Sequence, residues 1–182
     1  MKRRVPFVSY SALLPLLLLA GCLGLEPASD PSRFFTLVPE ATAAGAPTVL
    51  EVRVVEAPDY LRSKQMAIRE GAHEIVYESF WRWTGPTDVM LAQRVALRLG
   101  AKWGEEAPRG KLSVRLRRFE GTSGGEAVLA ADWTFHPDGE GSPTEGNFAE
   151  TRSWTRRQDP SALVSALGEL TDALAASIAG QL

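Results

Sequence analysis

The sequence predicts an α/β domain on a mixed sheet of about seven strands, with two long helices covering at least one face. Three observations carry this reading. Short runs between residues 34 and 156 alternate apolar and polar side chains, as half-buried strands do. Two longer runs, 87–103 and 160–178, repeat apolar residues at helical spacing. The order strand, strand, hairpin, helix, hairpin, strand, helix suits a mixed sheet better than a strictly parallel one, and no unit recurs at a period of roughly 20–50 residues, which excludes a solenoid.

The first element is a processing signal. Lys2, Arg3 and Arg4 precede an apolar stretch from Val5 to Ala20, which Pro6, Ser9, Tyr10, Ser11 and Pro15 interrupt. It is a secretory h-region, shorter than a membrane span. The stretch ends in Leu19-Ala20-Gly21-Cys22, which resembles the bacterial lipobox, and Cys22 is the only cysteine of the chain. The expectation is therefore a signal peptide over 1–21, a diacylglycerol thioether on Cys22, and a lipidated tether over 22–33 whose prolines and small residues suit a linker. Several acyl chains anchor a protein far better than a single one. Leu23 stands where an aspartate would resemble an inner-membrane retention signal, so the outer membrane, periplasmic face, is favoured over the inner. Removing residues 1–21 takes away three of 20 basic residues and none of 22 acidic ones, leaving a net charge of -5. Such a domain gains little from anionic lipid, so the anchor holds it at the membrane.

The domain itself spans 34–182. Phe34 to Val38 reads as a first strand stopped by Pro39, and Glu40 to Pro47 as a loop. Val49 to Val55 sets Leu50, Val52 and Val54 against Glu51 and Arg53. Gln65–Arg69 and Glu74–Glu78 flank a tight turn and form a hairpin. In the helix over 87–103, Val89, Ala92, Val95, Ala96, Leu99 and Trp103 form the apolar side, and Gln93, Arg94, Arg98 and Lys102 the polar one. Lys111–Glu120 and Ala127–Phe135 make a second hairpin, and Asn147–Arg156 a further strand carrying Phe148 and Trp154. Asp159-Pro160 is a helix start, with a capping carboxylate and proline at the first helical position. Leu163, Leu167, Leu170, Leu174 and Ile178 follow as one stripe, with Gly168 inside the helix as an expected site of close packing.

Composition narrows the function. The 182 residues are 45% hydrophobic and 23% charged, with a net charge of -2 that offers nucleic acid no general attraction. One cysteine excludes an intramolecular disulfide or a cysteine-rich metal site. His73 falls in a hairpin turn and His136 before a proline, positions typical of surface residues. No phosphate loop or nucleophile elbow is present, and acidic residues such as Glu105-Glu106 and Asp138/Glu140 lie in loops without recognisable partners. No catalytic residue, metal site or cofactor is assigned beyond the lipid on Cys22. The basic strands, Arg115-Arg117-Arg118 and Arg152-Arg156-Arg157, read as a solvated face or a charged edge, or as a surface for an acidic partner. Phe80-Trp81-Arg82-Trp83 divides between two faces at strand period, one suited to core packing and one to an interface.

Taken together, these motifs resemble the ABC-type transport auxiliary lipoproteins, the family that includes paraquat-inducible protein C. Four ordered stretches carry the likeness: Phe34-Phe35-Thr36-Leu37; Pro58-Asp59-Tyr60-Leu61; Gln65-Met66-Ala67 with Arg69; and Arg82-Trp83-Thr84-Gly85-Pro86 before a helix. The chain departs from the family pattern at Arg62-Ser63-Lys64, where Asp-Arg-Pro is common, and at Gly85, where an acidic residue is frequent. The resemblance implies a three-layer α/β sandwich and a non-enzymatic subunit. It also implies work beside an ABC permease, an ATPase and a mammalian-cell-entry (MCE) domain protein, in systems thought to move lipids between membranes. On that basis Tyr60, Leu61, Arg82 and Trp83 are the candidate partner interface, and self-association into a ring stays open.

Two other classes compete. One is a stand-alone lipoprotein that binds a lipid or small molecule in a pocket lined by Trp81, Trp83 and Trp133. The other is an assembly factor for an outer-membrane protein or for lipopolysaccharide export. A secreted hydrolase is a distant fourth reading.

Overall fold

The computed structural model describes residues 29–38, 50–155 and 159–182; the expectations for the signal peptide, Cys22, most of the tether and the loop 40–47 lie outside them. The fold is the compact unit Ser32–Leu182. Its elements are β1 (Arg33–Phe35), β2 (Leu50–Glu56), a 3-10 turn (Asp59–Arg62), β3 (Gln65–Glu70), β4 (Glu74–Trp83), α1 (Thr87–Trp103), β5 (Gly110–Thr122), β6 (Glu126–Pro137), β7 (Thr144–Ser153) and α2 (Pro160–Ala179). Seven strands form one mixed sheet in the order β1-β4-β3-β5-β6-β7, with β2 also on β5. The expected α/β domain of seven strands and two long helices therefore forms, as two layers among the described residues rather than the three that the resemblance implied, because the two helices pack side by side. Both helices lie on one face, packed on each other and on the sheet, and no helix covers the opposite face among the described residues.

The centre of the sheet is β5, which splits one of its edges between two partners. β2 runs parallel to residues 110–115, whereas β3 meets β5 only at Gly121 and Thr122. β2 and β3 are thus two pieces of one interrupted strand, separated by the 3-10 turn. Pro58 supports the interruption: it has no N–H to give a ladder, and its carbonyl accepts from Leu61 N at 3.0 Å. On the other edge β6 pairs antiparallel with β5 and then with β7.

The core lies between the sheet and the helix pair. Leu112, Val114 and Leu116 of β5 point into it; a bulge between Leu116 and Arg118 then shifts the phase, so Phe119 and Gly121 continue the buried face. Trp133 is 1% exposed and lies across Gly146, where a Cβ would come within 2.4 Å of its ring. The stripe Leu163, Leu167, Leu170, Leu174 and Ile178 is buried as expected, and Asp159 caps α2 by accepting from Ser161 N at 3.0 Å. By length and composition α2 could cross a membrane, but half of it is buried inside the domain. It is the core helix.

In α1 the buried side is Met90, Leu91, Val95 and Leu99, whereas Val89 is exposed. The expected stripe was rotated from this one because Arg94 does not face solvent. Its guanidinium donates to Asp172 of α2 at 2.7 and 2.9 Å and to the Leu37 carbonyl. Arg98 reaches the same carboxylate at 2.7 Å. Gly168 makes room for this bridge, since a Cβ there would sit 2.9 Å from Arg94 Nη1. In an open helix Gly→Ala gains about 1 kcal/mol. Here Gly168→Ala displaces an ion pair, and a net loss of about 1 kcal/mol is expected in denaturant titration. In an Arg94→Ala background the same change becomes stabilising; stabilisation in the parent chain as well would disprove the packing account.

Candidate functional site

The fork in the sheet is the most organised polar site among the described residues. Where β2 and β3 diverge, residues 116–120 of β5 lack a strand on that edge, and Tyr60 of the 3-10 turn fills the space. Its phenol accepts from Phe119 N at 3.1 Å and donates to Glu120 Oε2. Glu120 has no side-chain exposure, and Oε2 also accepts from Phe119 N at 2.9 Å. Oε1 receives Arg69 Nε and Arg118 Nε, each at 2.8 Å. One buried carboxylate thus joins β3, β5 and the turn.

Electrostatics follow from this geometry. Burial pushes the Glu120 carboxyl up, but the bonds from Tyr60, Arg69 and Arg118 together outweigh it and hold the group below the ordinary range. Burial and the neighbouring carboxylate push the Tyr60 phenol well above its usual value, so it remains a donor at physiological pH. Asp172 behaves like Glu120: burial raises it, and Arg94 and Arg98 lower it further than that. Both carboxylates are depressed in the folded state, so their stabilisation is complete above the ordinary carboxylate range. It is lost as pH falls through the depressed folded values. Acid unfolding is therefore expected to start below about pH 4.5, and Glu120→Gln should flatten that limb in a pH series of thermal melts. An unchanged acid limb would show that Glu120 does not control it.

The candidate interface residues divide between core and surface. Trp83 is 4% exposed and packs against Phe119 with ring centroids 6.5 Å apart. Leu61 is buried too, at 8%. Neither can present most of its side chain to a partner: the strand phase of β4 turns Trp81 and Trp83 inward, and Leu61 closes the end of the core under the turn. Tyr60 is half-buried and committed to the fork. Arg82, on the other face of β4, is half-buried with Nε unpartnered. The two segments do meet, since Trp83 N donates to Lys64 O at 2.7 Å and Arg82 is in register with Gln65.

Beside them is a cleft of about 520 Å³ between the end of β2, the turn and the start of α1, with Leu61, Arg62, Lys64, Gly85 and Asp88 in its wall. Both departures from the family pattern, 62–64 and Gly85, fall in this one cleft. The first basic strand is locally neutralised: Arg115 pairs with Glu56 at 2.7 Å, Arg117 with Asp132 at 2.9 Å and Arg118 with Glu120. In the second, Arg152 pairs with Glu150 at 2.8 Å, and Arg156 and Arg157 lie outside the described residues. His73 and His136 are exposed. The described residues hold no cluster of three metal-ligating side chains.

Sequence reasoning missed Glu120, which it placed only at the end of a strand. The available signal was Arg117-Arg118-Phe119, where alternation breaks and the bulge falls.

Fold and site define an α/β domain with both described helices on one face of a mixed sheet, whose buried polar cluster is consumed by its own architecture. The model of the ABC-type transport auxiliary lipoprotein component family matches residues 35–179, and the chain belongs to that family. Among solved structures it is similar to an uncharacterized protein at 18% identity, with a TM-score of 0.68 over 82% of this chain and 97% of the other. A protein from Xanthomonas campestris aligns at 17% identity and a TM-score of 0.59, over 85% and 86%. These likenesses support the fold. No curated protein shows a significant match.

Proposed function

We propose that this protein is a non-enzymatic, lipid-anchored periplasmic subunit of an MCE-type ABC transport system. It holds the MCE-domain protein, and through it the permease and ATPase, at the outer membrane during lipid transport between membranes. Membership of the auxiliary lipoprotein family carries the reading. The fork supports it: every oxygen of the buried carboxylate Glu120 is occupied by the protein itself, an arrangement that builds a rigid corner rather than an acid-base centre. The docking surface is the cleft beside that corner, with Tyr60 and Leu61 shaping it from beneath and Arg82 and Trp83 fixing the adjoining strand. The three tryptophans of the stand-alone binder reading do not share one pocket: Trp83 packs on Phe119 and Trp81 edge-on against Trp154, while Trp133 is 1% exposed and only borders an open groove walled mainly by polar residues.

Crosslinking of the native lipoprotein in membranes, followed by mass spectrometry, tests the proposal. Recovery of an MCE-domain protein with its permease and ATPase is expected; recovery of a β-barrel instead would indicate an assembly factor. The anchor has its own test. Cys22→Ala should accumulate as unprocessed precursor that takes up no radioactive palmitate, and continued labelling would reject Cys22 as the lipid site.

A further inference from the structure

The uncovered sheet face carries an aromatic patch that the docking cleft does not use. Phe34 is 60% exposed and Phe80 51% exposed. Phe34 is in register with Arg82 across the parallel β1–β4 pair, and Phe80 lies two residues before Arg82 on its own strand. The three side chains therefore project to one side, while Trp81 and Trp83 project to the other, against Trp154 and Phe119. A register shift in the β3–β4 pair, where Gln65 faces Arg82 and Ala67 faces Tyr77, changes the phase of β4 and brings Tyr77 to the Arg82 side.

We propose that this face, centred on Phe34, Phe80 and Arg82, rests on the phospholipid surface to which the chain is anchored. The inference rests on the lipid-anchor reading of Cys22. Eleven residues separate Cys22 from Phe34, a span of at most about 40 Å when extended, so β1 is the part of the sheet held nearest the bilayer. Tethering raises the local concentration of the patch at the surface, and a few contacts then suffice. An untethered protein partner would need on the order of 800 Å² on this side. The chemistry fits lipid: two exposed phenyl rings can enter the acyl boundary, and the half-buried Arg82 beside them supplies a cation for the phosphates.

Spin labelling of the full lipoprotein in vesicles of phosphatidylethanolamine and phosphatidylglycerol tests this. Cys22 is the only native cysteine, and lipidation consumes its thiol, so Phe34→Cys and Phe80→Cys can be labelled one at a time with the other phenyl kept. Val89→Cys, exposed on α1, is the aqueous control. The oxygen-to-nickel accessibility ratio at 34 and 80 should exceed that at 89 several-fold. Equal ratios in a vesicle-bound protein would overturn the inference while leaving the anchor intact. Protection that appears only after adding the transporter would also overturn it, and would assign the face to a protein. Failure to float with vesicles, with label on Cys22 itself, would reject the anchor reading and this inference with it.

Discussion

Glu120→Ala should lower the stability of the domain by about 3 kcal/mol, the low end of the cost of breaking a buried ion pair. The low end applies because Arg69 and Arg118 are partly exposed, at 23% and 40% of their side chains, and can recover water. Tyr60 cannot do so as easily: its phenol loses the acceptor that holds the 3-10 turn against β5. At this size the change corresponds to a melting temperature lower by roughly 6–12 °C. Local opening should concentrate at the fork, so hydrogen exchange at Phe119 N, which donates to both Tyr60 and Glu120, should accelerate more than at Leu112 or Leu129 in the same sheet. Uniform acceleration would mean that the cluster stabilises the fold only globally. Glu120→Gln preserves the shape and one acceptor oxygen, and should cost less than Glu120→Ala.

Trp83→Ala should be destabilising by about 3–5 kcal/mol, as for other buried aromatics cut to alanine. The indole packs on Phe119 and belongs to the core cluster with Leu61, Met66 and Leu91. The expected result is a large shift in the denaturant midpoint, with loss of partner capture following from unfolding. Arg82→Ala, on the opposite face of the strand, should leave the melt within about 1 kcal/mol of the parent. If Trp83→Ala melted like the parent chain and still lost the partner, the indole would be a contact residue and the packing account would fail. The contrast between these adjacent positions separates the two faces of β4.

Strong periodicity was legible in the chain. The strands around Val52, Val114 and Leu129 and the α2 stripe from Leu163 to Ile178 follow from patterns of two and of three to four residues. The cap at Asp159 follows from local chemistry alone. Shorter features were less legible. Of the expected α1 stripe Val95 and Leu99 are buried core and Val89 is not, because Arg94 reads as a solvent-facing cation until Asp172 is known to lie opposite it, 78 residues later. The candidate interface, drawn from the family resemblance, includes Leu61 and Trp83, whose burial the local pattern does not settle. A tryptophan in an alternating strand can face either way, and only the covered side of the sheet decides.

The α/β class, the two helices, the single cysteine behind a lipobox-like run and the motifs that resemble one family can all be read along the chain. Each of these is written in neighbouring residues, where spacing along the chain is also spacing in space. The tertiary structure alone decided that β2 and β3 share one edge of β5, and that Pro58-Asp59-Tyr60-Leu61 and Arg69 matter because they converge on Glu120. It also decided that, among the described residues, both helices share one face of the sheet. Those outcomes depend on contacts between residues 50 to 80 positions apart, such as Tyr60 and Arg69 with Glu120 or Arg94 with Asp172. Buried charges pair where folding brings partners together, and local periodicity carries no information about that meeting.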